Sequence, residues 1–218
     1  MKKTPVIFYL LNFFSAIVFA QSYKGQVEFS KVPVPRQHYQ QEYTFDTILN
    51  PAAWKAQKKG LNVSFATTDE LFFRSEVPEL PKTLSWEATG WKVERLNIQV
   101  LVWSPDTLNQ IRFILKDLKN SSGRSFDKNN FEINMVRYVI GNYPYGAKDV
   151  TCGGSPYKDL YLMPDRFVPM PIGIDRFDLP CRSVRPVCLS LNIPVVAAPG
   201  LYSGTFEVRS EIYSTTID

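Results

Sequence analysis

Val187-Cys188-Leu189-Ser190-Leu191-Asn192-Ile193, then Ala198-Pro199-Gly200-Leu201, then Tyr202-Ser203-Gly204-Thr205-Phe206-Glu207-Val208-Arg209, is the stretch that decides the fold. Val187, Leu189, Leu191 and Ile193 alternate with Cys188, Ser190 and Asn192. Tyr202, Gly204, Phe206 and Val208 alternate with Ser203, Thr205, Glu207 and Arg209. Neighbouring side chains of a strand point to opposite faces, so each run is a strand with one face on a core. Pro199 presets the second position of a turn and Gly200 accepts the positive φ of the third, which predicts a type II turn. Two half-buried strands around a tight connection predict either a β-hairpin or a crossing from one sheet of a sandwich to the other.

The same alternation recurs upstream. Leu61 to Ala66 is one strand. Leu96, Ile98, Val100 and Val102 are the core face of another, and Leu101 and Trp103 indicate that its end is buried on both sides. Ile111, Phe113 and Leu115 follow, with Arg112 and Lys116 outward. Asn120-Ser121-Ser122-Gly123 is a turn cluster. Phe131, Ile133 and Met135 form the next strand, and Tyr138 and Ile140 continue one residue out of step, which predicts a bulge near Val136. One helix is expected at Asn50 to Ala56, capped by Asn50, with Pro51 in the first turn and Gly60 at its end. From Gly141 to Pro180 there are six Pro and five Gly, which predicts a long irregular loop with short edge strands at most. About seven strands without intervening helices give an all-β antiparallel sandwich, of immunoglobulin-like or jelly-roll type.

The chain has 218 residues. Residues 1–20 read as a secretory signal: Lys2 and Lys3, an apolar run from Val6 to Phe19, and Ala20 at the exit. The apolar run is short for a membrane span and no second one follows, so no membrane attachment is expected after cleavage. The expected location is periplasmic or extracellular. Residues 21–50 are an extended, polar lead-in with Pro33 and Pro35, and 51–218 form the sandwich. Loss of Lys2 and Lys3 brings the net charge of +4 closer to neutral, so composition gives no case for nucleic acid. Aromatics at 14% and 16 Pro suit a β-protein with many turns. Three cysteines, Cys152, Cys181 and Cys188, are an odd count that leaves at least one thiol unpaired within the chain; one disulfide is open and no pairing is assigned.

Catalytic chemistry is hard to place. The one histidine, His38, lies in the polar lead-in and supports neither a triad nor a two-His metal site. Cys152-Gly153-Gly154-Ser155 has no base to serve it and reads as a turn. No Gly-rich phosphate loop with a following Lys occurs, so no cofactor is expected. Asp69-Glu70 is an adjacent acid pair, but neighbours in a strand point apart and an Asp after Thr67-Thr68 reads as a turn residue. Asn62-Val63-Ser64 and Asn120-Ser121-Ser122 match the glycosylation sequon. No residue is therefore assigned as catalytic, cofactor-binding or metal-binding. The candidates for sugar contact are the aromatics Trp86, Trp91, Tyr143, Tyr145 and Tyr157. Aromatic area usually goes into burial, so the expectation is that Trp86 and Trp91 pack in the core and the tyrosines brace the long loop.

The run Pro186 to Pro194 followed by Ala198 to Val208 resembles the closing hairpin of the N-terminal domain in glycoside hydrolase family 123 proteins. Ser64-Phe65-Ala66-Thr67-Thr68-Asp69, Gly90-Trp91-Lys92-Val93-Glu94-Arg95-Leu96-Asn97, Asp117-Leu118 and Met163-Pro164-Asp165-Arg166-Phe167 are similar too, so the resemblance runs from about Trp54 to Arg209. The resemblance implies a β-sandwich that precedes a (β/α)8-type catalytic barrel in β-N-acetylgalactosaminidases or their relatives. It further implies a substrate-assisted mechanism, in which the sugar's acetamido group attacks and an Asp-Glu pair of the barrel orients it. Asp69-Glu70 lies in the sandwich and does not inherit that role. No barrel follows Arg209, so the chain is a segment of a longer protein, a truncated frame, or a sandwich with its own role. The expectation is a non-catalytic domain of an exported hydrolase acting on N-acetylgalactosamine-containing glycans, inactive alone, whose partner is the catalytic barrel. The alternative is a stand-alone carbohydrate-binding or adhesion module, with a glycan as its partner.

Overall fold

A computed structural model describes residues 26–27, 50–141, 160–170 and 176–218. Its strands are β1 (Gln26–Val27), β2 (Asn62–Ala66), β3 (Arg95–Ser104), β4 (Leu108–Leu115), β5 (Leu118–Asn120), β6 (Ser125–Phe126), β7 (Phe131–Gly141), β8 (Leu160–Met170), β9 (Phe177–Leu179), β10 (Ser183–Asn192), β11 (Tyr202–Ser203), β12 (Phe206–Arg209) and β13 (Ser214–Ile217). They form an antiparallel sandwich. One layer has six strands in the order β1, β8, β7, β10, β3, β2, and the other has four, β13, β12, β4, β9. A short three-stranded sheet, β11, β5, β6, accompanies them.

The main core lies between the two layers. From the large sheet it takes Val63, Phe65, Ile98, Val100, Val102, Ile133, Val187 and Leu189; from the small one, Ile111, Phe113, Leu179, Phe206, Val208 and Ile217. Apart from Leu179 and Ile217, these are the alternating positions read from the sequence. At the centre Val187 stands opposite both Val100 and Met135.

The one α-helix among the described residues, α1 (Pro51–Ala56), is capped as expected: the Asn50 side chain accepts from the Ala53 N–H at 3.0 Å. It ends at Ala56, however, and Gly60 serves elsewhere. With φ +82° Gly60 turns the chain into β2, and an added Cβ would stand 2.7 Å from the Tyr213 ring. The helix and the segment after β2 cover the outer face of the large sheet. Trp54, Phe72, Leu101, Trp103 and Val184 form a second core there. Leu101 and Trp103 are thus buried on the face opposite Val100 and Val102, as their positions in the sequence indicated.

Three expectations are corrected. The stretch from Gly141 to Pro180 contains β8, eleven residues long and paired with β7 from Ile133 to Gly141. Pro164 and Pro169 hid it. Proline is tolerated where few ladder bonds are required of it, and the strand beyond β8, β1, spans only two residues. Next, the predicted bulge near Val136 is on the partner strand. β8 passes over Asp165 between Arg166, opposite Arg137, and Pro164, opposite Tyr138. Val136 and Tyr138 are buried because the outer face is roofed there, the Tyr138 hydroxyl lying 3.0 Å from the Phe72 and Val184 carbonyls.

For the defining stretch the crossing, one of the two alternatives, holds, and the third correction concerns the place of its turn. β10 and the strands after it do not form a hairpin. β11 pairs with β5, and β12 pairs with β4 and β13, so the chain crosses from one layer to the other. The hydrogen-bonded turn falls at Pro194 to Ala197 (3.0 Å), and Gly200 takes φ +150° in a bend beyond it.

Candidate functional site

At one end of the sandwich the layers splay into a cleft of about 640 Å³. Leu96 of β3, Phe131 of β7 and Leu189 and Leu191 of β10 supply one wall; Leu115 of β4 and Phe206 of β12 supply the other. The segment Thr83 to Trp86 closes a side by bridging the layers. The Phe65 N–H of β2 donates to the Thr83 carbonyl (2.8 Å), the Trp86 N–H to the Asp218 carbonyl (2.9 Å) and the Asp218 N–H to the Leu84 carbonyl (2.8 Å). Ser85, Glu87, Thr89, Ser203, Thr205 and Asp218 bring polar groups to the lining. The floor is hydrocarbon and aromatic, which suits the burial of apolar surface.

Beside the lining residues Thr89 and Leu201 the chain exposes apolar side chains to solvent. Leu201 is 88% exposed, Trp91 81% and Val93 75%, with Val195 and Val196 close by in sequence to Ile193. The Val93 N–H donates to the Ile193 carbonyl at 2.8 Å, which joins the turn before β3 to the loop after β10.

The sequence-derived candidates separate. Trp86 is half-buried, its ring 6.5 Å from that of Phe65, and it lines the cleft. Trp91, expected in the core, is exposed instead. It opens a tight turn in which the Glu94 N–H donates to the Trp91 carbonyl at 3.0 Å, and its own N–H donates to the Glu94 carboxylate. The turn puts the ring outside the layer before β3 begins. Tyr143, Tyr145 and Tyr157 lie outside the described residues, as do Cys152, His38 and the signal segment. Cys181 is exposed and Cys188 half-buried, both as free thiols.

Asp69 and Glu70 are exposed at a turn. The Gln99 side chain donates to the carbonyls of Thr67 and Glu70 at 2.7 and 2.9 Å, so the backbone there fastens the cover over the sheet. Asn62 of the first sequon is buried, its amide donating to the Lys58 and Gly60 carbonyls, and is not presented for modification. Among the described residues no three His, Cys, Asp or Glu side chains gather as a metal would need, and no helix is long and apolar enough to cross a membrane.

Among the described residues one carboxylate has a shifted titration. Hydrogen bonds from Asn192 and then Arg95 hold the Glu132 carboxyl below its usual value, against a small opposing effect of burial. It belongs to a polar ladder on the outer sheet face. Arg95 reaches Glu132 at 2.7 Å and Ser190 at 3.0 Å, and Ser190 donates to Asn97 at 2.7 Å.

The sequence reading missed Leu201, Val195 and Val196. The signal was present: Val195-Val196-Ala197-Ala198 is an apolar run between Pro194 and Pro199, outside any strand. Exposed apolar runs of that length usually have a function.

These features define a two-layer antiparallel β-module with an apolar end. The model of the glycoside hydrolase 123 N-terminal domain matches residues 65–210, and the chain belongs to that family. A family 123 glycoside hydrolase from Clostridium perfringens, whose structure was analysed for glycolipid glycan hydrolysis, is similar in fold, with a TM-score of 0.60 over 72% of this chain at 20% identity. The match covers 26% of that protein, so this chain spans about a quarter of its length. No curated protein sequence matches.

Proposed function

We propose that the chain is the non-catalytic N-terminal domain of an exported glycoside hydrolase that acts on N-acetylgalactosamine-containing glycans. The observation that carries this is the match of the N-terminal-domain family across 65–210, the body of the sandwich. The position of the acid pair Asp69-Glu70 supports the non-catalytic part. It sits at an exposed turn whose backbone is committed to Gln99. Export rests on the Lys2-Lys3 start and the apolar run that ends at Ala20. The sugar class rests on the resemblance to β-N-acetylgalactosaminidases alone. A chromogenic β-N-acetylgalactosaminide incubated with the purified chain should give no product above buffer. Turnover that survives repurification would overturn the non-catalytic reading.

A stand-alone carbohydrate-binding module has one observation in its favour, the exposed ring of Trp91. Trp86 is packed on Phe65 and does not extend that ring into a row. A glycan array probed with the purified chain separates the two readings, since specific retention that Trp91→Ala abolishes would favour the module.

A further inference from the structure

Two surfaces of this chain are apolar without being covered by its described residues: the cleft, and the exposed side chains of Trp91, Val93, Val195, Val196 and Leu201. They adjoin along the chain: Thr89 and Leu201 line the cleft, Trp91 follows Thr89 by two residues, and backbone hydrogen bonds join the turn at Val93 to Ile193 at the start of the loop after β10. Contiguous exposed apolar area of this kind marks an interaction site.

Three further observations say what covers it. Val93 has φ +69°, a left-handed conformation that β-branched residues rarely adopt. Such strain persists where the surrounding structure fixes it and concentrates at functional surfaces; here it fixes the turn that carries Trp91 and Val93. Secondly, Asp218 lines the cleft and is hydrogen-bonded into its wall through Leu84 and Trp86. Polypeptide joined after Asp218 starts at this end of the sandwich. Finally, the family is that of an N-terminal domain, and the solved relative is about four times the length that this chain matches.

We infer that the cleft end is the seat of the catalytic domain, which closes the cleft and buries Trp91 and Leu201 as the centre of an apolar domain interface. This rests on the accessory-domain reading above. Trp is the side chain most often found to anchor an interface. The docked surface is an apolar protein face, not a sugar and not a second copy of this chain.

The test compares the native protein, isolated from its source cells, with the 218-residue chain. Intact mass is read first, then hydroxyl-radical oxidation of individual side chains. The expected result is a native protein that extends past Asp218, with oxidation of Trp91 and Leu201 lowered at least about fivefold, as packing an exposed ring to interior density requires. Phe167, 59% exposed on β8, is the internal control and stays unchanged. Leu201→Asp in the longer protein should restore Trp91 oxidation, and in the 218-residue chain it should leave the Tm unaltered. A longer native protein with Trp91 fully oxidised would overturn this surface and leave the accessory-domain reading standing. A native protein that ends at Asp218 would overturn both, and the mass identifies that case. Trp91 protected in the 218-residue chain itself, together with a doubled mass in solution, would make the occupant a second copy and overturn the inference.

Discussion

The outer face of the six-stranded sheet changes character along β3. Arg95, Asn97, Gln99, Leu101 and Trp103 share that face, opposite the core residues Ile98, Val100 and Val102. The first two stand in the polar ladder with Ser190, Asn192 and Glu132, and the last two are buried under α1 and Phe72. Gln99 is the seam, and its amide holds the edge of the cover through Thr67 and Glu70. The partner strand repeats the change: Asn192, Ser190, Cys188, Pro186 and Val184 stand opposite Arg95, Asn97, Gln99, Leu101 and Trp103. The open half is polar and hydrogen-bonded; the covered half is apolar. The open half of this sheet meets water with polar groups, whereas Leu201, Trp91 and Val93 near the cleft meet it with apolar ones.

The covered half should respond most strongly. Trp54 is 1% exposed and its indole N–H donates to the Ser75 carbonyl at 2.8 Å. Trp54→Ala should destabilise by about 3–5 kcal/mol, with urea unfolding as the measurement. A loss no larger than that of Asn97→Ala would erase the difference between the halves. Tyr138→Phe comes next. It leaves the buried Phe72 and Val184 carbonyls without the hydroxyl, at a cost of about 1–2 kcal/mol in the same assay.

The cleft rim should respond in the opposite direction. Val93→Gly relieves the left-handed backbone and should raise stability by up to about 1 kcal/mol, after the greater chain entropy of glycine is counted. Destabilisation there would mean that the turn is not strained.

The smallest effect belongs to the open half. The folded-state pKa of Glu132 is depressed, so its contribution is present above the ordinary value of 4.5 and is lost as pH falls below it. The Glu132 side chain is 49% exposed, so solvent screening limits Glu132→Gln to a few tenths of a kcal/mol, about the scale of surface pairs. The gap between wild type and variant should narrow as pH drops below 4.5. A gap that widens in acid would contradict the ladder.

Much of this layering is legible in the sequence because alternation reports burial directly. β2, β3, β4, β7, β10 and β12 were all visible as period-two runs, and Leu101 with Trp103 already marked the face that is covered twice. Pairing was not legible. Nothing local in Tyr202 to Arg209 distinguishes a hairpin with β10 from ladders with β5, β4 and β13, since strand partners are set by the whole layer. β8 was hidden by Pro164, Asp165, Arg166 and Pro169, which break alternation without preventing pairing beside a two-residue edge. The candidate site was the least legible part. Its walls come from segments distant in the sequence, and the aromatic identity of Trp91 gives no indication of which side of the layer the turn will place it on.

The most direct measurement is the genomic sequence beyond the codon for Asp218. The account predicts a frame encoding a barrel-type catalytic domain, in frame or after a single frameshift. A stop codon followed by unrelated sequence would contradict it and leave the sandwich to act alone.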